Sequence, residues 1–80
     1  MTIEAEVNLY PVTEESAHHP VQRFVNVLKS HGCEVARSAL GSIVKGESAT
    51  VFEALRIGYE QAAERSGCVL IIQASNICPL

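Results

Sequence analysis

The sequence predicts an α+β fold, a ferredoxin-like βαββαβ sandwich that forms a single domain over residues 1–80. Three observations predict it. The sequence begins with a cleanly alternating segment, two helical segments follow, and short apolar segments lie between the two helices and after the second one. Two βαβ-like halves of this length build a four-stranded antiparallel sheet with both helices on one face. The expected strand order is 4-1-3-2.

The first element is a strand. Residues 3–10 alternate between apolar and polar side chains, the period of two that is typical of a half-buried strand. Pro11 ends it, because proline has no amide hydrogen to donate to a sheet ladder. The polar segment at residues 11–19 then predicts a connection. The side chains expected on the buried face are those of Ile3, Ala5, Val7 and Leu9, with Glu4, Glu6, Asn8 and Tyr10 on the other face.

The second element is a helix over residues 19–32. Pro20 suits its first turn, and Gly32 supplies the left-handed residue that often follows a last turn. Apolar side chains recur at the i, i+3, i+4, i+7 spacing of one helix face. That apolar stripe is formed by Val21, Phe24, Val25 and Leu28.

Two further strands are predicted at residues 33–40 and 41–47, with Gly41 at the turn between them. Both segments alternate poorly between apolar and polar residues. The sequence therefore leaves the register of these two strands open.

The second helix is predicted over residues 47–67. Ser48 or Thr50 is expected to cap it, and Thr50 with Glu53 has the spacing of a capping box. Gly58 lies in the interior of this helix, where glycine is about 1 kcal/mol less favourable than alanine. We therefore expect the helix to approach the sheet closely at Gly58.

The last strand, residues 68–75, is apolar in both of its alternating sets. A sheet that is wet on one face should show alternation, so we expect both faces to be covered. The helices cover only one face in this fold. The composition, 48% hydrophobic and 19% charged, also indicates an apolar surface that a partner covers. We expect a homodimer or a higher even oligomer, assembled through the uncovered sheet face.

Composition argues against several classes of partner. The net charge is −3, and no basic cluster is present to bind a phosphate backbone. Aromatic residues make up 5%, too few for a base-stacking platform. No run of about 20 apolar residues is present to span a membrane, and the acidic start lacks the basic region of a signal peptide. We expect no nucleic acid, no membrane and a cytoplasmic location.

The three cysteines, Cys33, Cys68 and Cys78, are odd in number, widely spaced and without a CxxC motif. That pattern argues against a disulfide framework or a zinc knuckle. We expect small buried hydrophobic side chains in a reducing compartment. Cys33 and Cys68 open strands at opposite edges of the predicted sheet, roughly 14 Å apart, so no bond should join them.

No set of residues in the sequence has the pattern of a catalytic or metal site. His18 and His19 are adjacent, so they cannot easily close on one metal ion, and no third ligand is near in sequence. Cys78 has no assignable histidine base, which a catalytic thiol needs. We expect no enzyme activity, no metal and no cofactor.

Small polar side chains gather where strands end. Ser75 and Asn76 follow the last strand, and we expect them to face the start of strand 1. Glu4 or Glu6 would then lie beside them. Strand 3 is expected to run parallel to strand 1, so its first residues, among them Ser42, should lie at the same end and join this cluster. Such a rim suits a small heterocycle with an amine and ring nitrogens, whereas ordinary solvation of strand ends is the other explanation.

Three short motifs occur in order along the chain: NLYP at residues 8–11, VKGESATVFEAL at residues 44–55 and ASNICP at residues 74–79. Through them the chain resembles the YkoF-type thiamine/hydroxymethylpyrimidine-binding domain over about residues 6–79. The resemblance implies a ferredoxin-like fold that binds thiamine or its hydroxymethylpyrimidine moiety without catalysis. The ligand contacts that it implies are Tyr10, Ser42, Ser75 and Asn76.

The best-recognised form of that family carries two such domains in tandem, whereas this sequence has one. A dimer would replace the missing half, and the related thiamine-binding family is single-domain and oligomeric. Two other interpretations stay open: an ACT-like regulatory domain that binds an amino acid, and a pure assembly domain. An acylphosphatase-like enzyme is disfavoured, because residues 11–19 lack the arginine that its phosphate-binding loop requires.

Overall fold

The computed structural model describes residues 1–12, 18–38 and 41–77, with only the backbone of His18. It confirms the predicted fold class and the order of its elements. The elements are β1 (Thr2–Pro11), α1 (His18–Ser30), β2 (Glu34–Ser38), β3 (Gly41–Glu47), α2 (Ser48–Arg65) and β4 (Cys68–Ser75).

The four strands form one antiparallel sheet in the order β2-β3-β1-β4, which is the predicted order 4-1-3-2 read from the other edge. β1 is central and pairs with both β3 and β4. Opposite β1, Glu4 pairs with Ser75 and Val7 pairs with Ser42. β2 and β4 are therefore the two edges of the sheet.

The hydrophobic core lies between one face of the sheet and both helices. The predicted inward set of β1 is buried, because alternate side chains of a strand point to the same face. The stripe of α1 is also confirmed, with Phe24, Val25 and Leu28 buried and Val21 partly buried. Burying a side chain of this size contributes about 1.5–3 kcal/mol. From α2 the core receives Val51, Ala54 and Leu55.

Gly58 faces α1 and not the sheet, and it allows the two helices to approach each other. The expectation of a close helix–sheet approach at this residue is therefore wrong. A Cβ at position 58 would lie 2.8 Å from Cδ1 of Phe24, on α1. The missing side chain makes room for the Phe24 ring, which is buried. The cost of a glycine inside a helix is offset here by helix–helix packing.

The start of α2 also differs from the prediction. The helix begins at Ser48, its N-cap is Glu47, and no side chain accepts a hydrogen bond from its first amides. The backbone carbonyl of Met1 accepts the Ser48 N–H at 2.9 Å. The Glu47 carboxylate instead accepts a hydrogen bond of 2.9 Å from the Met1 ammonium group. The capping-box prediction for Thr50 is therefore wrong.

Cys33 and Cys68 lie at opposite edges of the sheet, as predicted, and both are free thiols. Cys33 is buried and forms part of the core, whereas Cys68 is half-buried. Cys78 lies outside the described residues. Within the described ranges, no helix is long and apolar enough to cross a membrane. No group of three metal-ligating side chains comes together there either.

Candidate functional site

The candidate site lies on the sheet face opposite the helices, which we call the open face. The strand register defines it, because residues directly opposite each other on antiparallel strands share a face. Both helices pack on the other face, against the inward set of β1. The open face consists of Glu34 and Ala36 from β2, Ile43 and Lys45 from β3, Glu4, Glu6, Asn8 and Tyr10 from β1, and Val69, Ile71, Gln73 and Ser75 from β4.

One half of the open face is polar and carries two carboxylates. Glu4 lies between Ser75 on β4 and Lys45 on β3. Glu6 is the next open-face residue of β1 and lies opposite Gln73. The two glutamates are about 7 Å apart along the strand, and Glu4 is only 8% exposed. This half of the face therefore combines negative charge with hydroxyl and amide hydrogen-bonding groups.

The other half of the open face is apolar and exposed. Tyr10 lies opposite Val69, and Asn8 lies opposite Ile71. The exposed fractions of Tyr10 and Ile71 are 52% and 53%. Exposed apolar groups of this size that lie side by side mark a surface for a ligand or a partner.

Asn8 is held at the centre of the face by a close contact with Gly41. Gly41 has a φ of 138°, a conformation that favours glycine. A Cβ at this position would lie 2.8 Å from both Cγ of Asn8 and the carbonyl oxygen of Val7. The Ser38 hydroxyl donates to the Gly41 carbonyl at 3.2 Å, at the end of the same hairpin. The Asn8 amide therefore packs directly over the backbone of β3.

Two of the sequence-predicted contact residues lie at the polar half. The Ser75 hydroxyl accepts the Ile77 N–H at 2.9 Å and donates to the Ile77 carbonyl at 3.4 Å. This local turn ends β4 beside Glu4, and Asn76 lies exposed within it. Serine commonly closes turns of this kind. The predicted proximity of Ser75 and Asn76 to the start of β1 is confirmed.

The placement predicted for Ser42 is wrong. β3 runs antiparallel to β1, so Ser42 pairs with Val7 and lies on the helix-covered face, where it is 4% exposed. It is separated from Ser75 by three residues along the strands and two strand spacings across the sheet, about 14 Å. Ser42 does not join the polar cluster. Tyr10 lies opposite Val69, at the other end of the β1–β4 pair from Ser75, so these two implied contact residues are not brought together.

Sequence reasoning missed Lys45 as a member of the polar half. Gln73 belongs to the same polar ending of the last strand as Ser75 and Asn76, and the antiparallel pairing of β1 with β4 places it opposite Glu6. Lys45 could not be found in the same way, because the poor alternation of residues 41–47 does not fix which side chains share a face. Lys45 brings one positive charge next to Glu4.

A separate cavity of about 350 Å³ lies on the helix side, between the first half of α1 and the last half of α2. Its floor is apolar, with Leu9, Phe24 and Ala62 among its lining residues. Charged groups at its border include Arg23, Glu64 and Arg65. None of the four predicted contact residues lines this cavity, which makes it a distinct alternative to the open face.

No protein-family model matches the chain, and no curated protein is significantly similar to it. Solved structures are similar in fold. A hypothetical protein from Methanocaldococcus jannascii is 17% identical with a TM-score of 0.87, over 99% of this chain and 84% of that one. A protein from Thermotoga maritima, provisionally named for thiamine biosynthesis or salvage, is 14% identical with a TM-score of 0.81, over 94% and 83%.

A third similar structure is the domain of unknown function DUF77 from Bacillus cereus. It is 10% identical with a TM-score of 0.79, over 94% of this chain and 75% of that one. At these identities the similarity shows a shared fold. The fold is thus one that includes DUF77 and a thiamine-related protein among its solved members.

Proposed function

We propose that this chain is a non-catalytic binding protein for thiamine or its hydroxymethylpyrimidine moiety and that it works as a homo-oligomer. The observation that carries the proposal is the pair of carboxylates on β1, with Glu4 opposite Ser75 and Glu6 opposite Gln73 of β4. The sequence resemblance to the YkoF-type domain and the fold shared with a protein named for thiamine biosynthesis or salvage support it.

The chemistry of thiamine fits the groups of the polar half. Its aminopyrimidine offers an amine donor and ring-nitrogen acceptors, and its thiazolium ring is a cation. A carboxylate accepts from the amine, while an amide such as Gln73 or Asn76 both donates and accepts. Two carboxylates about 7 Å apart provide a second negative charge for the cation. Lys45 lies opposite Glu4, whereas Glu6 has no basic residue opposite it on β3 or β4, so Glu6 is the main partner that we propose for a cationic ligand.

The apolar half of the open face supports assembly. A second copy that packs on this face would remove Tyr10, Val69 and Ile71 from water, at about 25 cal/mol for each Å² of apolar surface. It would also lower the effective dielectric around the carboxylates, and charge interactions strengthen as water is excluded. Assembly and ligand binding are therefore expected to support each other.

Titration calorimetry tests the ligand class. Thiamine, hydroxymethylpyrimidine and a set of free amino acids are titrated into the wild-type chain. Saturable heat with thiamine or hydroxymethylpyrimidine supports the proposal. Heat with an amino acid alone would favour an ACT-like regulatory domain, and no heat at millimolar thiamine from a folded oligomer would overturn the proposal.

The variant Glu6→Gln tests the site. Hydrogen bonds to charged groups contribute about 1.5–3 kcal/mol, so thiamine affinity should fall about 10- to 100-fold. The affinity for hydroxymethylpyrimidine should fall less, because this ligand carries no positive charge. Glu64→Gln is the matched control, since Glu64 lies at the helix-side cavity. If Glu64→Gln weakens binding and Glu6→Gln does not, the ligand binds between the helices and not on the open face.

A further inference from the structure

The helix-side cavity has an apolar floor that belongs to the hydrophobic core. Leu9 of β1 and Phe24 of α1 line this floor, and both side chains are buried. Gly58 and Ala62 of α2 and Cys68 of β4 complete it. The volume of about 350 Å³ lies at the lower end of the range of small-molecule sites, about 300–1,000 Å³. The cavity is therefore large enough for a ligand with a short apolar chain or a single ring.

The walls of the cavity are held by contacts that do not depend on an occupant. The Val12 N–H donates to the Gly67 carbonyl at 2.8 Å, which ties the end of β1 to the turn between α2 and β4. The two helices are held apart at Gly58, because the Phe24 ring occupies the space of a side chain at that position. A ligand that enters such a pre-formed site does not have to order its walls.

The rim of the cavity carries a net positive charge, although the whole chain is acidic. Arg23 of α1 and Arg65 of α2 lie at the rim together with one carboxylate, that of Glu64. Two arginines and one glutamate leave one positive charge there, whereas the formal net charge of the chain is −3. Guanidinium groups bind carboxylates through paired hydrogen bonds. An apolar floor below a rim of this charge fits an amphipathic monoanion.

We propose that the helix-side cavity binds a small amphipathic monocarboxylate, with its apolar part on the floor and its carboxylate bound by Arg23 and Arg65. This site is distinct from the open face, whose two carboxylates suit a cation. The sheet separates the two sites, because Leu9 lines the cavity and its neighbour Tyr10 lies on the open face. The proposal therefore rests neither on the proposed binding of thiamine nor on assembly.

Octanoate and octylamine test the ligand class, because both carry a short alkyl chain and their head groups have opposite charges. In calorimetry we expect octanoate to bind with a Kd below about 1 mM, which a ligand of about ten non-hydrogen atoms can reach. Octylamine should bind in the cavity at least about tenfold more weakly, because its ammonium group would lie beside two arginines. No saturable octanoate binding at millimolar concentration would overturn the proposal.

Amide chemical shifts in a titration followed by NMR locate the bound octanoate. The changes should concentrate at residues 23–27 of α1 and residues 58–66 of α2, which include most of the cavity lining. Changes confined to the open face would overturn the proposal, because octanoate would then bind only to the exposed apolar half of that face. Equal binding of octylamine at the cavity amides would overturn it as well.

A cavity-filling substitution tests the floor. Ala62→Leu adds three carbon atoms to a half-buried side chain in the cavity, so octanoate affinity should fall more than about tenfold through steric exclusion. Ala63→Leu is the matched control, because Ala63 is the next residue of the same helix, is exposed and does not line the cavity. Circular dichroism verifies the fold, and wild-type affinity in a folded Ala62→Leu protein would overturn the proposal.

Charge substitutions at the exposed rim test the head group without changing the core. Arg65→Gln should weaken octanoate binding about 3- to 10-fold, the size expected for one charge-assisted hydrogen bond at an exposed side chain. Arg56→Gln is the matched control, because Arg56 lies on the same helix, pairs with Glu53 and Glu60 and does not line the cavity. Glu64→Gln should strengthen binding, because it removes a negative charge from the rim. Equal octanoate affinity of the Arg65→Gln and Arg56→Gln proteins would overturn the proposal.

Discussion

Gly58 of α2 and Phe24 of α1 occupy adjoining space: the aromatic ring fills the position that a side chain at residue 58 would need. The ideal Cβ there would be 2.8 Å from Cδ1 and 2.9 Å from Cε1 of the ring. Phe24 is buried in the core, so it has little room to move. The distance between the two helices is thus set by a glycine.

Gly58→Ala should lower stability although alanine is the better helix former. The gain in helix propensity is about 1 kcal/mol, and overpacking a core typically costs about 1–3 kcal/mol. We expect the free energy of unfolding to fall by about 1 kcal/mol in urea denaturation. Gly67→Ala is the control, because no atom lies within 4 Å of a Cβ at that position, and it should not destabilise. A stabilised Gly58→Ala protein would contradict this prediction and would show that the Phe24 ring can shift to make room for the added methyl group.

Gly41→Ala should be more damaging. A Cβ there would meet the carbonyl oxygen of Val7 at 2.8 Å, and this atom belongs to the backbone of the central strand. Positive φ adds strain of about 1–3 kcal/mol, and overlap adds a similar amount. We expect a loss of about 2–6 kcal/mol, measured by denaturant unfolding. Gly32→Ala is the control, because Gly32 has a φ of 88° but open space around it. This variant measures the backbone strain without the steric overlap, so its free energy of unfolding should fall by less.

Asn76→Ala should weaken ligand binding and leave the fold intact. Asn76 is exposed in the turn after β4, so its removal affects no core contact. Loss of one neutral hydrogen bond, about 0.5–1.5 kcal/mol, predicts an about 2- to 12-fold lower thiamine affinity in calorimetry, at about 1.4 kcal/mol per tenfold. Asn26→Ala, an exposed asparagine on α1, should bind like the wild type. Equal affinity of both variants would remove Asn76 from the site.

The thiols should differ in reactivity. Burial raises the pKa of the Cys33 thiol, so at a given pH it holds less thiolate, which is the nucleophilic form. Cys33 is also 6% exposed, whereas Cys68 is half-buried. Under native conditions at pH 8, iodoacetamide should modify Cys68 well before Cys33, as read from the separate peptides by mass spectrometry. In urea the two rates should converge, and faster labelling of native Cys33 would contradict its place in the core.

Clear periodicity made the main features of the fold predictable. β1 alternates with period two and α1 carries one apolar stripe, because each element buries one side only. These patterns determine which residues face the core. The order of elements then leaves few ways to connect four strands and two helices, and the strand order followed from it.

The features that sequence did not predict depend on contacts between distant residues. In β3 the apolar Ile43 and Val44 are neighbours, so alternation does not say which of them faces the core. Ser42 was placed wrongly for a different reason: strand 3 was expected to run parallel to strand 1, whereas β3 runs antiparallel to β1. Glu47 is bound by the Met1 ammonium group, a partner 46 residues away that no local capping motif reveals. The polar half of the open face was found in part, because β1 alternates and ends opposite the start of β4.

The central position of β1 has a consequence for the order of events during synthesis. β1 is made before its neighbour β4, and Glu4 of β1 pairs with Ser75 of β4. The sheet cannot be completed until residue 75 has been made and released from the ribosome, because long-range strand pairing must wait for both partners. Until then one side of β1 lacks its neighbour. Slow release of the last strand would leave an unpaired strand exposed to aggregation.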